Sequence, residues 1–358
     1  MKRLTTSDAP SGRRSWMLAR RAVIVALALL GGFALAASSG PPREQTAPQP
    51  TRVPSREVQA DSQLWIEVRN VTMHLDHRAT IRVRRLRGQV QSTTEGQPAI
   101  LDDRRSFSIQ VTSGTVGLTG NDLTTLLNEF IFAYHGAPLK DLRARPEGGQ
   151  VTLEGTMHKG VDLGFTINSA MSLTPEGMIR LHPTRTRILG INGLKLMNAL
   201  GLELDDLLDL EASRGATVKG NDIYLDPEKI LPPPAIAGSL TSARVDGDEV
   251  AIEFMTTPAD SVFGSYVRPD STIPNFVYFR GARLQFGKLL MSDTDLLIVD
   301  ANPSDPFDLN LQEYAKQLVA GTSRTLSNLG LRVEMPDYAT LGPEILADRT
   351  PETPGARR

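Results

Sequence analysis

A chain of 358 residues can hold one large domain or two smaller ones, and 40% hydrophobic with 22% charged residues is the balance of a folded protein. It has no cysteine, which excludes disulfides, thiolate metal sites, cysteine nucleophiles and a lipid-modified cysteine anchor. The formal net charge is −2, and the first 36 residues carry six basic and one acidic side chain, so their removal leaves −7 and excludes general nucleic-acid binding.

Basic residues from Lys2 to Arg21 precede the apolar run from Ala22 to Ala37, and Ala34-Leu35-Ala36 places small residues at the −3 and −1 positions of a cleavage site. These are the three parts of an export signal. Residues 1–36 are therefore expected to form a signal peptide, with an uncleaved inner-membrane anchor as the alternative. Either way the protein is expected to be exported, in the periplasm or cell envelope. Residues 37–62, rich in Pro, Ser, Gln and Thr, are expected to be a flexible linker.

A strand-rich domain is expected over 63–257. Leu64 to Val68 and Val71 to Leu75 begin it, followed by the alternating runs Ala79-Ile81-Val83 and Phe107-Ile109-Val111. The period then changes. Leu123, Leu126, Leu127, Phe130, Ile131 and Tyr134 fall at helical spacing and form one apolar stripe over about four turns. Thr119 and Asp122 stand at capping-box spacing, and Gly136 and Pro138 mark the stop.

A long strand follows. Val161, Leu163, Phe165, Ile167, Met171 and Leu173 alternate with small or polar residues, which puts one set on each face. The run is about twice the usual strand length of roughly 5–6 residues. Such a strand suits an elongated, curled sheet, and curled sheets can enclose apolar ligands. Thr174-Pro175-Glu176-Gly177 reads as a turn into a return strand from Ile179. A leucine-dense segment spans Ile191 to Leu210, and a hairpin with a type I′ turn is expected around Asp246-Gly247. Residues 258–274 read as a linker, 275–339 as a small strand-rich extension with a helix near Leu311 to Leu318, and 340–358 as a disordered tail.

The chain lacks the usual catalytic signatures, and no enzymatic activity, cofactor or metal is expected. His74 and His77 are the only closely spaced histidines. Asp300-Ala301-Asn302-Pro303-Ser304 has oxygen ligands at the first, third and fifth positions of a calcium loop. Asp305 replaces the required glycine and Leu311 the final glutamate, so a solvated turn is expected, with Asp308 capping the next helix. Arg78, Arg82 and Arg84 line the polar face of their strand and could meet anionic headgroups.

From Leu118 to Glu176 the chain runs helix, strand, hairpin, long strand, turn, with Gly148-Gly149-Gln150-Val151 at the first hairpin; the leucine-rich segment, Leu231-Pro232-Pro233-Pro234 and the last hairpin at Asp246-Gly247 follow. Over about Trp65 to Phe254 this order resembles the bacterial exported members of the tubular lipid-binding superfamily. That superfamily includes the bactericidal/permeability-increasing proteins and the synaptotagmin-like lipid-transfer domains. The resemblance implies an α+β fold in which a long, highly curved antiparallel β-sheet wraps around an amphipathic helix, and it implies no catalytic residues. The expected function is binding or shuttling a lipid or other hydrophobic ligand at a membrane surface. Leu123, Leu126, Leu127, Phe130, Ile131, Tyr134, Val161, Leu163, Phe165, Ile167, Met171 and Leu173 are the expected lining, with Arg82 and Arg84 at the mouth. A ligand-free scaffold acting through protein partners is the alternative.

Overall fold

The computed structural model describes residues 63–75, 78–158, 161–189, 191–192, 204, 215–263 and 269–346. The expected signal, the linker 37–62, the turn at Lys159-Gly160, most of the leucine-dense segment and the chain beyond 346 lie outside the described residues. Of the described residues, strands take 55% and helices 11%, so the described part is mostly β-sheet, with a curled antiparallel sheet forming half a barrel. The principal elements, in chain order, are β1 (Leu64–His74), β2 (Thr80–Ser92), β3 (Phe107–Thr119), α1 (Gly120–Leu126), β4 (Leu139–Glu147), β5 (Gln150–His158), β6 (Asp162–Leu173), β7 (Ile179–Ile188), β8 (Asp222–Leu225), β9 (Glu249–Phe254), α2 (Pro258–Phe263), β10 (Phe276–Gly281) and β11 (Thr294–Asp300).

The largest sheet is organised around β1, which pairs antiparallel with β2 on one side and β10 on the other. Beyond β2 come β3 and β9, and beyond β10 come β11 and the parallel strand Leu331–Met335. The strands of the expected C-terminal extension thus continue the sheet that contains β1. Strand β1 is buried on both faces, which is why Leu64-Trp65-Ile66 is uninterrupted in its hydrophobicity. Leu64, Ile66 and Val68 face the main core. Asn70, at φ 49°, changes the parity, so Val71 and Met73 return to the same core. Trp65 packs on the other face with Phe276, Tyr278, Leu297 and Val299. Ala259 and Ile273, both from the segment expected as a linker, cover that second cluster.

The second sheet is antiparallel throughout, in the order Ala216–Lys219, β8, β7, β6, β5, β4. Strand β6 has 12 residues and pairs along its length with β5 and β7. One continuous core joins the inner faces of both sheets. The turn Thr174 to Gly177 forms as expected, with the Gly177 N–H donating to the Thr174 carbonyl at 3.0 Å.

Three local expectations change. The last hairpin pairs Asp246 with Glu249, and Gly247 alone of the two turn residues has positive φ, as in a type II′ turn rather than type I′. The C-terminal helix spans Tyr314–Ala320, and Glu313 precedes it without a side-chain cap. Asp308 does not cap that helix: it lies in the strand Phe307–Asn310, where His74 Nε2 at 2.5 Å and the Ala339 N–H at 2.9 Å engage its carboxylate.

Candidate functional site

The helix expected over Leu123 to Tyr134 begins as predicted. The Thr119 N–H donates to Asp122 Oδ2 at 2.8 Å and the Asp122 N–H to Thr119 Oγ1 at 3.2 Å, which completes a capping box. The α-helix then ends at Leu126 and continues as a π-helical turn over Leu127–Ile131, closed by the Phe132 N–H on the Leu127 carbonyl at 2.8 Å. Asn128 lies within this turn. Its carboxamide donates to the Thr124 carbonyl at 2.8 Å and so competes with the ordinary backbone ladder. The same carboxamide reaches Leu142, and Thr124 Oγ1 accepts from the Ala144 N–H at 2.9 Å. Two side chains therefore fasten the helix to β4, the edge strand of the second sheet.

Between this helix and the sheet lies a cavity of about 70 Å³ with a wholly apolar wall. Leu123, Leu126, Leu127, Ile131 and Phe132 close it from the helix side. The sheet contributes Ala144, Val151, Leu153, Met171, Leu181 and Ile223, one or two from each of five strands. Ala216 and Ile230 complete a small cluster with Ile131. Leu123, Leu127, Phe132, Met171 and Leu225 are only half-buried, so the cavity reaches the surface between them.

Of the expected lining, Leu123, Leu126, Leu127, Ile131 and Met171 are brought together at this cavity. Two positions of the expected stripe lie off it. Phe130 sits under the Arg78 guanidinium, 5.0 Å from its ring centroid, and Tyr134 lies off the cavity. Phe165 and Ile167 are buried in the common core but do not line it, and Leu163 and Leu173 are half-buried at the two ends of β6. Val161 precedes the strand and is 61% exposed. The residues missed are those on β4, β5, β7 and β8. Their alternation was visible in Val151-Leu153 and Ile179-Leu181, but only the pairing of the strands sets them opposite the helix.

Arg82 and Arg84 do not guard this cavity. They line a separate polar cleft of about 670 Å³, together with Glu249, Asp305, Asp308 and Asp337. Glu249 is 5% exposed and pairs with both guanidiniums: Arg84 Nη2 bonds to it and Arg82 Nη1 stands at 3.8 Å. Arg84 also lies 3.7 Å from Asp246. Gly117 makes room for this carboxylate, since a Cβ there would stand 2.7 Å from Glu249 Oε2. Both arginines are thus paired with protein carboxylates, while about half of each side chain stays exposed in this cleft.

Among the described residues no group of three or more His, Asp or Glu could hold a metal ion, and no helix is long and apolar enough to cross a membrane. Comparison with protein-family models, with curated proteins and with solved structures finds no match.

Proposed function

We propose that this chain is an envelope protein that binds a lipid or similar apolar molecule, taking an acyl segment into the seam between α1 and the second sheet. The export-type N-terminus supports the location. The observation that carries the binding is the cavity, in which helix and sheet meet without filling the space and no polar group faces inward. In this reading the curled sheet holds the amphipathic helix as the tubular lipid-binding proteins do, and the chain acts by desolvation rather than catalysis.

The size of the cavity limits the reading. Its volume is about half of the ~150 Å³ apolar cavity that accepts benzene. Two or three methylenes fit, worth about 0.8 kcal/mol each. A longer chain must lie along the half-buried mouth or move the π-turn outward, and π-turns inside helices are frequent at functional sites. The same small volume favours a second reading, a ligand-free scaffold.

Two measurements decide between them. Organic extraction of the protein purified from its own host, followed by mass spectrometry, is expected to yield stoichiometric lipid. A fluorescent fatty acid is expected to bind the wild type and to be excluded by Ala144→Leu, whose added carbons occupy the cavity. No extracted lipid together with equal probe uptake by both proteins eliminates the cavity as a binding site.

A further inference from the structure

The outer face of the second sheet carries a basic stripe that a backbone irregularity creates. In β7, Ile179, Leu181 and Pro183 point inward and are buried, so Arg180 and His182 point outward. Regular alternation would then send Arg185 and Arg187 into the core. The register shifts instead: Asn168 pairs with Arg185 but Ser169 with Pro183, which leaves Thr184 as an extra residue. Such a bulge reverses the parity. Beyond it Thr186 is buried, and Arg185 and Arg187 are exposed on the face of Arg180 and His182.

Asp222 pairs with Arg180 at 2.5 Å and with His182 at 2.6 Å. Arg185 and Arg187 have no ion pair among the described residues. The ladder places Arg187 level with Thr166, Glu154 and Arg143. Glu154 is held by Arg145 at 2.5 Å, so Arg143 is also unpaired among the described residues. Three unpaired guanidiniums thus face outward across roughly 14 Å, three strand spacings.

Strand β7 ends in an exposed aliphatic side chain. Leu189 follows Arg187 and Ile188, is 63% exposed and is held at φ 53° by its N–H on the Gly164 carbonyl at 2.9 Å. A leucine in the left-handed region is a strained arrangement that local hydrophobic burial does not explain, and such strain clusters at functional positions. Val161, which precedes β6 at that end of the sheet, is equally exposed but has the parity of the inward Leu163 and Phe165, so it does not belong to this face.

We propose that this face docks on an anionic lipid bilayer, with Arg143, Arg185 and Arg187 on the headgroup phosphates and Leu189 in the interface. A soluble polyanion would match the arginines but leave Leu189 in water. None of these residues lines the apolar cavity, so this surface stands or falls independently of lipid binding there.

The absence of native cysteine makes the test direct. An environment-sensitive fluorophore is placed on the full chain at Leu189→Cys or, as control, at Val319→Cys, where the side chain is 80% exposed far along the sequence. Vesicles of phosphatidylcholine with about 30% phosphatidylglycerol are compared with phosphatidylcholine alone, at low and high salt. The label at 189 is expected to shift to the blue on the anionic vesicles only, and the label at 319 on neither. Adding Arg185→Glu and Arg187→Glu should abolish the shift at 189 and weaken anionic-vesicle binding at that face well over tenfold, since each basic side chain contributes about fivefold. The unchanged N-terminal apolar run contributes equally to every variant, so the label isolates this surface. No shift at 189, or a shift that survives the charge reversals, overturns the proposal. Charge-sensitive binding to an oligonucleotide without vesicle insertion overturns it as well and assigns the stripe to a polyanion.

Discussion

The Asn128 carboxamide makes two hydrogen bonds with the backbone of Leu142: Nδ2 donates to its carbonyl at 2.7 Å, and its N–H donates to Oδ1 at 2.9 Å. Leu142 needs such a partner because β4 bulges against β5. Lys140 pairs with Thr156 and Arg143 with Glu154, so Asp141 and Leu142 share the place opposite Gly155. Asp141, at φ 53°, lets the chain make that detour. Gly155 allows the close approach, since a Cβ there would stand 2.6 Å from Leu142 Cδ2. One amide side chain therefore completes the unpaired step of the sheet edge and fastens the π-turn that roofs the cavity to that edge.

Asn128→Ala is expected to lose about 1–3 kcal/mol of stability, because two backbone groups at a partly buried bulge lose their partner. Urea unfolding measures it. If the proposed cavity binds an acyl probe, the variant should bind it more weakly at temperatures where it remains folded, since the roof is no longer anchored. Unchanged stability and unchanged probe affinity together would show that the bulge satisfies itself without Asn128.

What could be read along the chain was what neighbouring residues decide. The capping box at Thr119 and Asp122 and the turn at Thr174 to Gly177 are closed by groups three residues apart, so spacing reveals them. The alternation of β6 likewise follows from adjacent side chains. Interruptions of period were hidden, because their causes are distant in sequence. Asn128 in the π-turn is bound to Leu142, 14 residues on, and the Thr184 bulge depends on how β6 pairs. The partners of Arg84 and of β1 were equally hidden: Glu249 and the Phe276–Gly281 strand come from remote parts of the chain. Five helix and strand positions of the expected lining converge at the cavity, whereas the guanidiniums placed beside them by face alone belong to another cleft.

Arg87 is 3% exposed and lies between two carboxylates, Glu67 at 3.4 Å and Asp260 at 3.1 Å, with Ser113 Oγ donating to the second at 2.6 Å. This contact ties α2 to the outer face of the large sheet. Arg87→Met is expected to cost about 3–5 kcal/mol, because Glu67, 1% exposed, is left with only the half-buried Arg69, 3.4 Å away, as counter-charge. Adding Glu67→Leu should recover most of the loss, since replacing a buried pair by apolar side chains is often nearly neutral. Denaturant unfolding of the single and double variants checks both statements. A double variant as unstable as the single would mean that Arg87 acts chiefly through Asp260.

Two aspartates near the polar cleft should give opposite pH signatures. Burial opposes the charge on Asp308, but the His74 hydrogen bond and the Ala339 N–H outweigh it and hold the carboxyl below the ordinary range. A depressed carboxyl supplies stability above its unfolded value of about 3.9 and loses it as pH falls through the folded value. For Asp337 burial dominates. It outweighs the hydrogen bond from the Asp308 N–H, and the charges of Asp300, Asp305 and Asp308 add to it, so the carboxyl is pushed up. A raised carboxyl has the reverse sign: the folded state is favoured while it is protonated, and the cost appears as pH rises past about 3.9. Asp337→Asn keeps an oxygen to accept from the Asp308 N–H at 2.7 Å in the wild type and removes the charge. It is therefore expected to raise the melting temperature at pH ~7 and to lose that advantage at pH ~3. Asp308→Asn should lower the melting temperature at neutral pH, with the difference shrinking in acid. Thermal melts across that interval separate the two, and a neutral-pH gain from Asp308→Asn would show that burial rather than His74 governs its carboxyl.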